Sequence, residues 1–149
     1  MLEMELVEAL YKLLNLEDIK LYLDKEKVPV KNFEENRSIG AVYPKEGIIF
    51  LDIYEINNKI EFFTLLCSLL YQIKLSKSKM TIYEQSKYCD AFTYYIMNII
   101  FGYEVSINKD GFFEDAFEHI QKEYPEDMII KIVQDSGFAI EEINLKNSA

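Results

Sequence analysis

Few residues in this sequence could act as a nucleophile, a base or a metal ligand. The 149 residues include two cysteines and one histidine, namely Cys67, Cys89 and His119. Cys67 and His119 are the obvious nucleophile and base, because a thiol needs a nearby base to become a thiolate at neutral pH. However, both cysteines fall in apolar helical patterns, and His119 flanks the apolar face of a predicted helix. The pattern therefore predicts two buried, reduced thiols and a partly exposed histidine rather than a catalytic pair.

Other catalytic chemistries have less support. Ser68 lacks the G-x-S-x-G setting of a hydrolase nucleophile. Asp52, Glu55 and Glu61 could form a carboxylate site, but acids at a strand end and a helix start are usually solvated or capping. The five glycines fall in neither a G-x-G-x-x-G nor a Walker pattern, so no phosphate-binding loop is predicted.

The first half of the chain is predicted to form helices followed by a small sheet. After an opening amphipathic helix, a second short helix is predicted to begin at Leu16, with Asn15 as its N-cap. An extended segment is predicted within residues 25–30. Two β-prone runs, residues 39–43 and 48–51, flank a Pro-Lys-Glu-Gly turn and predict a hairpin.

The next two helices are the clearest in the pattern. Residues 57–74 are apolar around almost the whole helix circumference, as expected for a helix packed through the middle of a domain. Thr81 and Glu84 form a capping box that opens the following helix, which ends at Gly102. A narrow polar stripe interrupts the first of these helices. It consists of Glu61, Thr64, Ser68, Tyr71 and Gln72.

The last third of the chain, residues 104–149, is helical in pattern and strongly acidic. Asp110 is predicted to cap one helix, and Pro125 to open another that stops at Gly137. Residues 138–149 are predicted to be a short extended piece and a tail. This third carries 11 acidic and 4 basic residues. Helices, then strands, then helices indicate an α+β fold for the whole chain.

The charge balance argues against a nucleic-acid-binding protein. The formal net charge is −10 and the sequence pI is about 4.6. Phosphate binding needs a concentrated basic surface, and the densest basic run is only Lys74, Lys77 and Lys79. The N-terminus lacks the basic start and continuous apolar stretch of a signal peptide. We therefore expect a cytoplasmic protein without membrane or direct nucleic-acid contact.

Residues 61–73 read E-F-F-T-L-L-C-S-L-L-Y-Q-I, preceded by the β-prone runs 39–43 and 48–52 and followed by C-D-A-F at 89–92. In order and spacing these fragments resemble the ImmA/IrrE zinc metallopeptidases, whose metal-binding helix reads roughly R-F-T-L-A-H-E-L-G-H. Residues 63–65 stand where the family has F-T-L. The upstream runs resemble the family's hairpin, and the downstream fragment resembles its A-N/D-x-F-A helix, which normally brings in a glutamate ligand.

The resemblance implies where the catalytic residues should be. In H-E-x-x-H, two histidines bind zinc and the glutamate activates the metal-bound water. Cys67 and Tyr71 stand at the histidine positions and Ser68 at the glutamate position. Ser86 and Tyr88 stand where the third carboxylate ligand is expected. We therefore expect a degenerate member of the family with no zinc, no other cofactor and no peptidase activity.

The resemblance also implies a fold and a domain division. The expected architecture is a zincin-like α+β domain with a small sheet, including the hairpin, packed against about five helices. Residues 1–103 would form the ImmA/IrrE-like domain, and residues 104–149 an acidic helical extension packed on it.

Family members are often encoded on phages and mobile elements, where they cleave or antagonise helix-turn-helix repressors. The resemblance therefore implies an inactive regulator or inhibitor that binds a regulatory or defence-related protein, with such a repressor as one candidate. The former cleft or the acidic extension would make the contact. The predicted contact residues are Thr64, Tyr71, Glu114, Asp115, Glu118, Glu126 and Asp127.

Two alternative functions and the role of Tyr71 stay open at the level of sequence. The chain could be an acidic mimic of nucleic acid that inhibits a DNA- or RNA-binding protein. It could also be an active hydrolase with an atypical metal site. For Tyr71, closure of the former cleft is the preferred interpretation, with a role as a binding anchor as the other.

Overall fold

The computed structural model describes residues 3–31, 33 and 38–140. Within them the chain forms five α-helices and one three-stranded mixed sheet, which confirms the predicted α+β class. None of the helices among these residues is long and apolar enough to cross a membrane. The elements are α1 (Met4–Leu13), β1 (Lys20–Tyr22), β2 (Gly40–Tyr43), β3 (Ile48–Leu51), α2 (Lys59–Lys74), α3 (Ile82–Phe101), α4 (Phe113–Glu123) and α5 (Glu126–Asp135).

β3 is the central strand of the sheet. It pairs antiparallel with β2, which places Gly40 opposite Leu51, and parallel with β1, which places Lys20 opposite Ile48. All four of its side chains are buried. The predicted hairpin is confirmed, and Gly47 closes its turn at a φ of +68°, a conformation that favours glycine.

The segment between α1 and the hairpin differs from the prediction. No helix begins at Leu16, because Asn15 takes a left-handed φ of +56° after α1 and the chain then enters β1. The strand predicted within residues 25–30 is also wrong: Lys25–Lys27 form a single 3-10 turn capped by the side chain of Asp24. β1 forms where it does because β3 supplies backbone partners that the local pattern does not reveal.

α2 runs between the sheet and α3. Its N-cap is Asn58, whose Oδ1 accepts a hydrogen bond of 2.9 Å from the Glu61 N–H. Phe62, Phe63 and Leu66 have no exposed surface. The helix therefore belongs to the core on most of its circumference, as predicted.

α3 begins with the predicted capping box. Thr81 Oγ1 accepts from the Glu84 N–H at 3.1 Å, and Glu84 Oε1 accepts from the Thr81 N–H at 3.2 Å. The helix ends at Gly102, whose φ of +63° is left-handed. Both ends of α3 are thus specified by local residues.

α4 packs against α3, and α5 against α1. Their apolar side chains, including Phe113 and Ile129, belong to the same core cluster as α2. The predicted Asp110 cap is wrong, because α4 begins at Phe113 with no side-chain cap. Pro125 directly precedes α5, as predicted. Residues 141–149, most of the predicted tail, lie outside the described residues.

Candidate functional site

One turn of α2 carries the three positions predicted to have replaced catalytic residues. Cys67 is completely buried, Tyr71 is 2% exposed, and Ser68 is partly exposed. Burial raises the pKa of the Cys67 thiol well above its usual range, so the sulfur stays protonated at neutral pH. A protonated sulfur excluded from solvent is not an active nucleophile.

Tyr71 fills the space between α2, α3 and α4. Its ring stacks on Phe92 with 4.6 Å between the ring centroids, and Tyr124 meets it edge-on at 6.5 Å. Its hydroxyl donates a 3.4 Å hydrogen bond to Glu123 Oε1. Burial, reinforced by Tyr124 and Glu123, raises the pKa of Tyr71 above its usual range. Tyr71 is therefore a neutral part of the core, and its predicted role as a partner-contact residue does not fit this burial.

α3 contributes the other two positions, which differ in exposure. Ser86 is exposed, whereas Tyr88 is only 6% exposed. The Tyr88 hydroxyl is hydrogen-bonded to His119 Nδ1 at 2.8 Å, and its ring lies 5.8 Å from that of Phe112. Burial raises the pKa of Tyr88, with a smaller contribution from Glu123. Tyr88 thus joins α3 to α4.

The single histidine is engaged with Tyr88, and both cysteines are free and buried, as predicted. His119 is exposed on α4. Burial raises the pKa of Cys89 to about 12, with Asp90 adding to the effect. Neither thiol is therefore available as a thiolate near neutral pH, and a Cys67/His119 catalytic pair has no support.

Part of the groove between α2 and α3 is open, and it brings Ser68 and Ser86 together. The pocket has a volume of about 240 Å³. Burial raises the pKa of Asp90 in its wall, an effect that Lys87 opposes. The described residues that line it include no histidine or lysine, so none of them offers either serine an imidazole or amine base. The lining residues are Ser68, Gln72, Ile82, Gln85, Ser86, Cys89 and Asp90.

The side chains at the predicted metal positions do not fit zinc. Zinc takes thiolate, imidazole and carboxylate ligands. At these positions α2 offers only one side chain of these types, Cys67, beside the hydroxyl of Ser68 and the phenol of Tyr71. In the described part of the chain, no group of three or more His, Cys, Asp or Glu side chains could hold a metal ion. We derive no catalytic step through a metal.

Three other carboxylates were considered as a catalytic site, namely Asp52, Glu55 and Glu61. Asp52 is 5% exposed, accepts a 3.1 Å hydrogen bond from the backbone N–H two residues on, and lies 4.0 Å from Lys25 Nζ. Glu61 accepts a 3.4 Å hydrogen bond from Asn57 Nδ2. Glu55 is exposed. These contacts order the loop before α2, as expected of capping and turn residues.

The remaining predicted contact residues differ in how accessible they are. The Thr64 hydroxyl donates to the Ile60 carbonyl at 2.7 Å and is partly buried. Glu126 is half-buried, and burial followed by the neighbouring Asp127 raises its pKa. The other acids are exposed, and Glu118 forms an ion pair of 3.3 Å with Lys122. The accessible acids are Glu114, Asp115, Glu118 and Asp127.

Sequence reasoning missed the side chains that enclose Tyr71. Glu123 and Tyr124 lie at the end of α4, in the part of the chain without a counterpart in the resembled family. Phe92 belongs to the C-D-A-F fragment, but no local pattern indicates which aromatic residue it stacks on. The enclosure of Tyr71 depends on how three helices meet, which spacing along one helix does not encode.

No family model, no curated protein and no solved structure matches the chain. The resemblance to the ImmA/IrrE family therefore depends on the sequence fragments quoted above.

Proposed function

We propose that this chain is a catalytically inactive relative of the ImmA/IrrE metallopeptidases that acts by binding another protein. The observation that carries the proposal is the burial of Tyr71. The resemblance places this residue at the position of the second zinc-binding histidine. Its ring stacks on Phe92 and is 2% exposed, so this position holds a packed side chain of the core rather than a metal ligand. Ser68 is not a general base, and Cys67 alone does not complete a zinc site.

The exposed acids of α4 and α5 are the surface that best fits a protein partner. Glu114 and Asp115 lie in the first turn of α4, and Asp127 in the first turn of α5. A helix-turn-helix repressor presents a basic DNA-binding face, which is electrostatically complementary to this acidic surface. A regulator or inhibitor linked to a phage or mobile element is the role that the resemblance supports.

The nucleic-acid mimic is the second candidate and has less support. Acids in the first turn of a helix are favoured by the partial positive charge of the helix N-terminus, whatever the protein does. The positions of Glu114, Asp115, Glu126 and Asp127 are therefore explained by local helix stability. These positions alone therefore favour neither candidate, and the first is preferred because the resemblance supports it.

The experiment is affinity capture from the native host with purified full-length protein, followed by identification of the bound protein. A triple variant, Glu114→Lys, Asp115→Lys and Asp127→Lys, reverses the exposed acids of α4 and α5. Its matched control reverses three other exposed acids. We expect the α4/α5 variant to reduce recovery of the partner at least ~10-fold, as for loss of several complementary charges, and the control to leave it unchanged. The control acids are Glu26, Glu46 and Glu55.

Recovery of no partner, or an equal response to both variants, would contradict the proposal. Binding that weakens steeply with salt and competes with nucleic acid would favour the mimic instead. Metal analysis of the same purified protein completes the test. Stoichiometric zinc that is lost in Cys67→Ala would favour the hydrolase with an atypical metal site.

A further inference from the structure

A groove of about 300 Å³ lies between α1 and β1. Its α1 wall is a single helix face, because Met4, Val7, Glu8 and Tyr11 stand at positions i, i+3, i+4 and i+7. Met4 is 49% exposed although it is apolar. One face of α1 therefore borders the groove with mostly apolar side chains.

The opposite wall is formed by the edge strand β1 and the residue that follows its end. Leu21 and Leu23 line it, and residues two apart in an extended chain point to the same side. β1 pairs with β3 on its inner edge, where the Lys20 N–H donates to the Gly47 carbonyl at 2.9 Å. Successive residues of a strand direct their N–H and C=O groups to opposite edges, so those of Leu21 point outward. In the described residues no strand pairs with this outer edge.

The charge of the groove is negative. Among the described residues, Glu8 and Glu17 are its only charged lining residues, and both are exposed. Neither belongs to an ion pair among the described residues. An occupant with a lysine or arginine beside its apolar residues would therefore gain complementary charge here.

We propose that this groove binds an extended segment of a partner protein, with apolar side chains at alternate positions and a flanking lysine or arginine. The segment adds to β1 as a fourth strand. Its backbone pairs with the outward N–H and C=O of Leu21, and its apolar side chains pack between Leu21 and Met4. Its cationic side chain lies beside Glu8 and Glu17.

A second copy of this chain is a poorer occupant than a basic partner. Pairing two copies through β1 would bring two pairs of these glutamates together on chains that each carry a net charge of −10. The inference concerns a different surface from the former cleft and from α4 and α5. It therefore does not depend on the proposed function.

The first test titrates a synthetic peptide into the full-length, ¹⁵N-labelled protein. The peptide alternates valine and threonine over five residues and carries two lysines at each end. We expect amide shift changes confined to residues 4–23, and hydrogen exchange of the Leu21 amide slowed at least ~10-fold at saturation. Peptides with glutamates in place of the lysines, or with a central proline, are expected to bind at least ~10-fold more weakly.

The second test separates strand addition from simple apolar binding. Leu21→Pro removes the outward N–H and leaves the β3 hydrogen bonds intact, whereas Leu21→Ala only trims the side chain. We expect Leu21→Pro to weaken peptide binding at least ~10-fold beyond Leu21→Ala, with unchanged amide shifts in β3 as the check on folding. Glu8→Gln combined with Glu17→Gln should weaken binding and its salt dependence, unlike the control pair Glu46→Gln and Glu55→Gln.

Four results would overturn the proposal. They are no binding at millimolar peptide, shift changes that map to α4 and α5, equal effects of Leu21→Pro and Leu21→Ala, and Leu21 protection in the free protein. If that protection rises with protein concentration, the occupant is a second copy. If it disappears on deletion of residues 141–149, the occupant is the chain's own C-terminal segment. None of these outcomes tests the zinc content of the protein or the role of the acids of α4 and α5. The two proposals can therefore fail separately.

Discussion

Tyr71, Phe92 and Tyr124 form one aromatic contact that joins three helices. Phe92 stacks on Tyr71. It meets Tyr124 edge-on, with 5.9 Å between the centroids of the Phe92 and Tyr124 rings. Both geometries are favourable because the ring edge carries positive and the ring face negative partial charge. The contact makes position 71 a packing position, although Tyr71 belongs to the polar stripe of α2.

Replacing Tyr71 tests whether its ring or its hydroxyl matters more. Tyr71→Ala should lower the free energy of unfolding by about 3–5 kcal/mol, because a buried aromatic side chain is lost and a cavity remains. Tyr71→Phe should cost less than about 1.5 kcal/mol, since it removes only the 3.4 Å hydrogen bond to Glu123. Urea unfolding followed by circular dichroism measures both values. Similar losses in the two variants would show that the ring is not the packing element described here.

Among the helices, α3 has the boundaries that are most clearly specified by nearby residues. Its capping box at one end and Gly102 at the other fix its boundaries. The side chains between them contact α2 and α4. The capping of the α3 N-terminus therefore helps to hold in place the helix face that carries Tyr88 and Phe92.

The Thr81 cap can be tested against a serine on the same helix. Thr81→Ala should lower the free energy of unfolding by about 0.5–2 kcal/mol, because the Glu84 N–H loses its side-chain acceptor. Ser86→Ala, at an exposed position in the helix interior, should be neutral or slightly stabilising because alanine has the higher helix propensity. Chemical denaturation of both variants gives the comparison. A cost for Ser86→Ala as large as that for Thr81→Ala would contradict the capping account.

The same elements show how far the sequence predicts the fold. The hairpin and the capping box were predictable because each is specified by residues within a few positions of one another. β1 was not predictable, because its partner β3 lies more than twenty residues away along the chain. The pattern between them predicted a strand within residues 25–30 instead. At the site, the burial of Cys67 followed from helix periodicity. The enclosure of Tyr71 by Tyr124 depends on tertiary packing.

α4 and α5 share one apolar core with the preceding helices and strands. The Tyr95 hydroxyl donates a 2.8 Å hydrogen bond to the Tyr124 carbonyl, and both residues are buried. Ile129 of α5 and Leu6 of α1 belong to the same apolar cluster. The acidic extension therefore contributes core surface as well as charge.

Truncation tests this dependence. A chain ending at residue 103 should lose cooperative unfolding, because Tyr71, Phe92 and Tyr95 would face water without α4. A chain ending at residue 140 keeps both C-terminal helices and should unfold cooperatively. Thermal unfolding followed by circular dichroism distinguishes them. A cooperative transition in the shorter chain would show that residues 1–103 fold independently of α4 and α5.

The packing of Tyr71 also affects how readily a metal centre could evolve at this position. Under the proposed function, regaining a metal centre would require Tyr71→His among other changes. A smaller imidazole there would leave a void beside Phe92 and deprive Glu123 of its hydrogen-bond donor. Under the proposed function, this substitution would therefore give a less stable protein before any catalytic benefit.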